Sequence, residues 1–495
     1  MSNNEGQLHW ESWAFRLLLS LTLLPVLVIP ELIGMDNQTH LYNARLIVEW
    51  FGHAAWVREA FEIQLFPIPN WTGHGILAVL MIFFSPEWAE KIHLLLLMIT
   101  LATGFRSLVM MSNPRFPLVG SALALVLIWS WFVLLGFYNF LWGAAFALWA
   151  LSSWMRREDR LLPLFLSSLI YGILIYFSHP TWWLAVAMAM MLWWLIRFFH
   201  HRRFLLPALI WMGGMLPSGL LLWQFLIRQQ ATFQESSRLA WSTLSHMLYE
   251  FFPLVVFHGG KEGPWLRMIA LGALLAGFSH WFFRPEASIR TKGFLRWSAT
   301  LFFFFLAAFF FFPDVSSTGS FISSRLLFLT IIFLFLLFSA MARNSMWSWI
   351  GILLMLVGHS ALMLFYSSTY QKYVPDVEIV KAWGKQLPEG ATAAMINQDI
   401  WFEDNLNKAL GIHGNVILLD NFEAWTGYFP LIWNEAWHER AGGGREQWLG
   451  PNETTAIKAD YLLTSGKLDP NSDWLSRYHC IAREGRLALY QRDRD

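Results

Sequence analysis

Eleven long apolar runs set the limits on what this chain can fold into. They fall near residues 15–33, 88–110, 117–135, 138–154, 162–178, 180–198, 204–226, 265–283, 297–312, 322–341 and 346–367. Most approach the roughly 20 apolar residues that cross a hydrocarbon core. Lipid leaves backbone polar groups no partner but each other, so such runs fold as helices. The chain therefore reads as a polytopic α-helical membrane protein with about eleven transmembrane helices. A twelfth stretch, 74–84, is apolar but short and interrupted by Ser85-Pro86. It reads as a re-entrant or interfacial helix.

Charge divides the chain in two. Residues 1–370 hold 38 charged side chains and residues 371–495 hold 31, about 10% and 25% of each part. The second figure is that of an ordinary soluble domain. The reading is a transmembrane region, 1–368, carrying outer loops 34–87 and 227–264, followed by a soluble domain, 369–495. The overall balance, 35 Lys and Arg against 34 Asp and Glu, removes the electrostatic case for binding nucleic acid. Within the membrane region, 14 basic residues collect on one set of loops and 8 on the other when the N-terminus is placed inside. The positive-inside rule then puts the N-terminus in the cytoplasm and the C-terminal domain outside the cytoplasm, in a multi-pass plasma (inner) membrane protein. Membrane lipids are its first partners.

The tail alternates helix and strand signals. Helices are expected at Val377–Leu387 and Phe402–Leu410, and strands at Ala391–Ile396, Val416–Asp420 and Tyr461–Thr464. A hairpin, Tyr478–Ala482 with Leu487–Gln491, turns at Arg483-Glu484-Gly485. This is a small α/β domain with no dinucleotide fingerprint, P-loop or nucleophile elbow. Ala441-Gly442-Gly443-Gly444 reads as a flexible loop. Cys480 is the only cysteine, which excludes an intramolecular disulfide and any multi-thiolate metal site.

Polar residues of interest gather in the outer segments. Asp36 and His40 stand four apart, on one face of a helix if Asp36 opens one. A carboxylate beside the membrane surface, assisted by an imidazole, can take a proton from an acceptor hydroxyl. The same pair can also hold a divalent cation, but two ligands do not make a metal site, and no metal-ligand set is identified. The plainer alternative is a helix N-cap and an interfacial histidine. Arg325, in Ser323-Ser324-Arg325 at the start of a late span, suits a lipid phosphate, or else simply snorkels to the interface. Asp314 on the same loop is its candidate partner. Sequons stand at Asn37, Asn70 and Asn452, and are expected to be unused.

Asp36…His40…Asn43-Ala44-Arg45, followed by Phe66-Pro67-Ile68-Pro69-Asn70-Trp71, the short apolar run and Ser85-Pro86-Glu87, resembles the GT-C superfamily of membrane glycosyltransferases. Those enzymes carry an acidic catalytic residue soon after the first span, often as Asp-Glu; here Asn37 follows Asp36. Gly136-Phe137-Tyr138-Asn139-Phe140 and Ser178-His179-Pro180 are similar to turns in bacterial relatives. The resemblance implies a GT-C-like fold and transfer of a sugar, hexosyl or pentosyl, from a polyprenyl-phosphate donor on the outer face. The acceptor would be a cell-envelope glycan, lipid or protein. Asp36 and His40 would be catalytic and Arg325 would hold the donor phosphate. Asn139, His179 and Arg45 would line the cleft. No cofactor is certain, and a divalent cation stays open. A transporter or lipid flippase, and a non-catalytic assembly protein, remain the alternatives.

Overall fold

The structure is a computed structural model that describes residues 2–200, 204–229, 237–282, 289–315, 320–397, 405–438, 440–441, 459–467 and 473–493. It is mostly helical, with a small sheet region near the C-terminus. Each of the eleven apolar runs contains helix. Among the described residues, eight helices are long and apolar enough to cross a membrane: Trp10–Val28, Pro86–Ser112, Leu161–Ser178, Pro180–Phe199, Leu205–Arg228, Lys292–Phe311, Ile322–Met341 and Met346–Gly384.

Among the described residues, three of the eleven runs fall short of that length or composition, for physical reasons. The run 117–135 breaks at Ile128 into Leu118–Leu127 and Trp131–Leu134, each shorter than a span. In Tyr138–Arg156 the polar Asn139, Ser152 and Ser153 dilute the apolar content. In Gly259–Phe282, Lys261, Glu262 and Arg267 occupy the first turns. The chain is a multi-pass membrane protein.

Two compact units are present. The first comprises Met1–Pro25, Leu95–Val133 and Phe140–Ser367. It is a helical bundle in which Leu161–Ser178 packs on Leu205–Gln229, and Ile322–Met341 packs on both Ile289–Phe311 and Gly259–Phe282. Polar atoms inside it find partners across helices, as they must in lipid. Thr22 Oγ1 lies 2.9 Å from His359 Nε2, and Trp297 Nε1 donates to Ala189 O at 2.7 Å. Asn113 Nδ2 reaches the carbonyls of Ser339 and Ala342. Leu17, Leu209, Trp223, Phe303 and Leu353 are exposed, as side chains facing lipid would be. The stretch 227–264 contains the helix Trp241–Tyr249 and the short turn Phe252–Leu254; residues 230–236 lie outside the described set.

The second unit joins Val26–Leu94 and Leu134–Asn139 to Ser368–Asp495. The tail therefore does not stand alone: the segment after the first helix α1 (Ser2–Val28) packs with it. That segment runs α2 (Asn37–Phe51), α3 (Ala55–Ala60), β1 (Phe61–Ile63) and α4 (Thr72–Met81). The tail strands are β2 (Thr392–Asn397), β3 (Ile417–Leu418), β4 (Leu431–Trp433), β5 (Tyr461–Ser465), β6 (Tyr478–Glu484) and β7 (Leu487–Arg492). They form a mixed five-stranded sheet in the order β3-β2-β5-β7-β6, parallel across β3-β2-β5 and antiparallel beyond. The expected hairpin is β6-β7, turned at Gly485 with φ +56°. The expected helix at Phe402–Leu410 is instead the shorter Lys408–His413; residues 402–404 lie outside the described set. So do most of Ala441–Gly444 and the Asn452 sequon.

Strand β1 pairs antiparallel with β4, bringing Phe61 opposite Trp433, whose rings stack 4.2 Å apart. This pairing fixes the segment after α1 to the tail and so positions the site. Asn37 and Asn70 are buried, with Nδ2 of each turned to a backbone carbonyl.

Candidate active site

The backbone of Gly34-Met35-Asp36 is held by the turn that precedes Tyr138. Met35 N donates to Leu134 O at 2.8 Å and Asp36 N to Leu135 O at 3.0 Å. Gly136, at φ +72°, lies so close that a Cβ there would fall 2.3 Å from Asn37 N. Only glycine meets both demands, the left-handed backbone and the contact. The Gly-Phe-Tyr-Asn turn and the Asp36 segment, about 100 residues apart in the chain, are therefore one construction.

Asp36 occupies the N-cap position of α2, yet its side chain makes no capping hydrogen bond. The plain N-cap reading fails on that point. The carboxylate is largely buried, and Asn405 of the tail donates to Met35 O at 2.6 Å and approaches Asp36 Oδ1 at 3.4 Å. One turn along α2, His40 is also buried and points into a cluster. Its Nδ1 lies 3.0 Å from His74 Nε2, on α4, and 3.0 Å from Glu423 Oε1, on the tail turn Phe422–Trp425. His74 Nε2 lies 2.9 Å from Glu423 Oε2, and that oxygen accepts from Asn43 Nδ2 at 2.6 Å. Tyr138 stands against the His40 ring, centroids 5.5 Å apart.

These groups shift one another's acidity. Burial alone would push the Glu423 carboxyl up, but the two imidazoles beside it hold it well below the usual carboxylate range. Burial alone would push His40 down; the charge of Glu423, with Asp36 adding to it, raises it instead. His74 shows the opposite balance, since its burial outweighs the pull of Glu423 and lowers it. His40, His74 and Glu423 are a group of side chains that could hold a metal ion.

The other expected site residues fall in two places. Arg45, on α2, sends Nη1 to the carbonyls of Gly411, Ile412 and Gly414 at 2.5–2.9 Å and Nη2 to Asn415 Oδ1 at 2.7 Å. It thereby collects carbonyls at the end of helix Lys408–His413. Asn139 Oδ1 accepts from Gly73 N at 2.7 Å, at the start of α4, and its Nδ2 lies 3.5 Å from His74 Nδ1. Asp36, His40, Asn139 and Arg45 thus belong to the second unit, and His179 and Arg325 to the first. There Phe140 links the latter two. Its ring is edge-on to His179 at 5.4 Å, and the Arg325 guanidinium lies 5.6 Å from its centre. Asp314 Oδ1 accepts from Ser323 N at 2.9 Å and so caps the helix that carries Arg325.

Sequence reasoning missed His74 and Glu423. His74 is the first residue of the short apolar run, and a histidine opening such a run was the available signal. Glu423 gave none, because it meets His74 only through folding across 349 residues.

No family model matches the sequence, and no curated protein does. Solved structures do. ArnT from Cupriavidus metallidurans in the apo state aligns over 97% of this chain and 97% of its own, at 11% identity and a TM-score of 0.55. The fold is like that of ArnT. The same ArnT bound to undecaprenyl phosphate aligns over the same shares at 11% identity and a TM-score of 0.51. The Archaeoglobus fulgidus oligosaccharyltransferase aligns over 90% of this chain and 68% of its own, with 11% identity and a TM-score of 0.47.

Proposed function

We propose that this protein is a membrane glycosyltransferase of GT-C type that moves a hexosyl or pentosyl group from a polyprenyl-phosphate donor to an acceptor. Transfer takes place on the outer face of the membrane, with the N-terminus in the cytoplasm. The observation that carries this reading is the Asp36 carboxylate, which heads α2 without capping it and sits one turn from His40. The fold likeness to a protein whose structure holds undecaprenyl phosphate supports the choice of donor.

In this reaction the acceptor oxygen attacks the anomeric carbon while Asp36 takes the hydroxyl proton. The bond from the anomeric carbon to the phosphate oxygen breaks, and its electron pair leaves with the polyprenyl phosphate. A permanent cation stabilises that charge, and this role goes to Arg325, with His179 beside it. His40, one turn away, assists Asp36 through its charge, and Asn139 and Arg45 support the α2–α4 frame. The acceptor is an envelope glycan, lipid or protein.

Arg325 provides a direct test. Charge-assisted hydrogen bonds are worth about 1.5–3 kcal/mol, so Arg325→Ala should raise the KM for the donor by about 10- to 100-fold. Arg325→Lys, which keeps the charge but loses the planar fork, should fall between. Steady-state kinetics with a purified polyprenyl-phosphate sugar measure both. Wild-type kinetics in Arg325→Ala would remove the residue from donor binding.

A further inference from the structure

We propose that His40, His74 and Glu423 form a site for one divalent transition-metal ion, Zn²⁺ by preference, which ties α2 and α4 to the tail turn Phe422–Trp425. The three ligands come from three separate elements of the second unit, so an ion there would act as a cross-link between them.

The hydrogen-bond pattern of His74 leads to this conclusion. Its Nδ1 lies 3.2 Å from Asn70 O, a carbonyl that can only accept, and farther, 3.5 Å, from the Asn139 Nδ2 donor, so the shorter contact puts the ring proton on Nδ1. In the neutral ring Nε2 is then a bare lone pair. That lone pair faces Glu423 Oε2 at 2.9 Å and His40 Nδ1 at 3.0 Å. His40 supplies the second ring nitrogen, its Nδ1 lying 3.0 Å from both His74 Nε2 and Glu423 Oε1. Histidines that ligate metals usually donate their second ring N–H to a carbonyl or carboxylate, which fixes the tautomer and aims the other nitrogen.

Hydrogen bonding alone leaves this cluster incomplete. Glu423 Oε1 is fully buried and accepts no hydrogen bond, although it lies 3.0 Å from His40 Nδ1. Asn43 serves Oε2 and leaves Oε1 out. A cation placed among the three side chains would engage Oε1 together with both imidazole lone pairs. Two nitrogens and one carboxylate suit zinc; calcium and magnesium prefer oxygen throughout. Zinc bonds of roughly 2.0–2.1 Å in tetrahedral geometry set donor atoms about 3.3 Å apart, so the observed contacts need open by only a few tenths of an ångström. Three protein ligands leave one coordination position for water or another small ligand.

Zinc content can be measured without any substrate, so this inference stands or falls apart from the transfer reaction. The untagged full-length protein in detergent, stripped with a chelator and dialysed against Zn²⁺, should retain one ion per chain by mass spectrometry. Its unfolding temperature should rise with zinc. Co²⁺ in place of zinc should give the visible absorption of a low-coordinate site. His74→Ala and Glu423→Gln should weaken binding by at least about 10-fold. His246→Ala, on the exposed helix Trp241–Tyr249, should leave it unchanged. Stoichiometric uptake by wild type with a Co²⁺ spectrum supports the site even if a variant misfolds. Absence of stoichiometric uptake by wild type, or equal uptake by well-folded His74→Ala, overturns it.

Discussion

Asp36→Asn is expected to lower glycosyl transfer by about 10²- to 10⁴-fold, the usual contribution of a general base, with folding and membrane insertion unchanged. The substitution keeps the shape of the side chain and removes only its charge and basicity. The backbone bonds that hold this segment, Met35 N to Leu134 O and Asp36 N to Leu135 O, do not involve the carboxylate. Nor does the start of α2, because Asp36 contributes no capping bond. An Asn side chain can still accept from Asn405 Nδ2, which approaches Oδ1 at 3.4 Å in the wild type. A loss of rate at constant expression and thermal stability is therefore attributable to chemistry. Transfer of labelled sugar by membranes containing equal amounts of each protein measures it.

The second large effect concerns the stability of the tail. Lys408 is completely buried, and its ammonium lies 2.6 Å from Asp420 Oδ1 and 3.1 Å from Asp420 O. The Asp420 carboxylate also accepts from Met395 N at 3.1 Å and Asn407 Nδ2 at 2.7 Å. Removing one member of a buried pair strands the other, typically at a cost of about 3–5 kcal/mol. Lys408→Ala should therefore destabilise the protein by about that amount, measured by thermal or denaturant unfolding of the full chain in detergent. Combining Lys408→Met with Asp420→Asn should recover part of the loss. The amide introduced by the second substitution is neutral, yet its oxygen can still accept from Met395 N or Asn407 Nδ2. A tail as stable with Lys408→Ala as without would show that this pair contributes little.

The helices were legible because hydrocarbon imposes a length and a composition that few other environments demand. What the runs did not reveal is where a helix breaks or turns polar. The break at Ile128 and the polar residues of Tyr138–Arg156 lie inside stretches that look continuously apolar by eye. In the tail, β2, β5 and the β6-β7 hairpin were readable from alternating apolar residues and a glycine turn. Their order in the sheet was not, since long-range pairing leaves no local mark.

Legibility of the site follows the same division. Asp36 and His40 share a helix, and helical spacing brings them out together. The rest of the cluster depends on tertiary events: the β1-β4 pairing that fixes the tail to the first segment, and the left-handed Gly136 that receives the Asp36 backbone. Arg45 and Asn139 illustrate the limit on polar residues. Both read as cleft residues, and both have backbone groups as partners, Arg45 the carbonyls of 411, 412 and 414, and Asn139 the amide of Gly73. Nothing in a sequence says which carbonyl a guanidinium will find.

The most direct measurement uses purified wild-type protein in proteoliposomes with a polyprenyl-phosphate sugar labelled in the sugar. We expect label to appear covalently in an acceptor, with one unlabelled polyprenyl phosphate released per sugar transferred, and both to fall together in Asp36→Asn. Movement of the intact labelled lipid between leaflets, with no covalent product and no dependence on Asp36, would contradict the assignment and identify a lipid transporter instead.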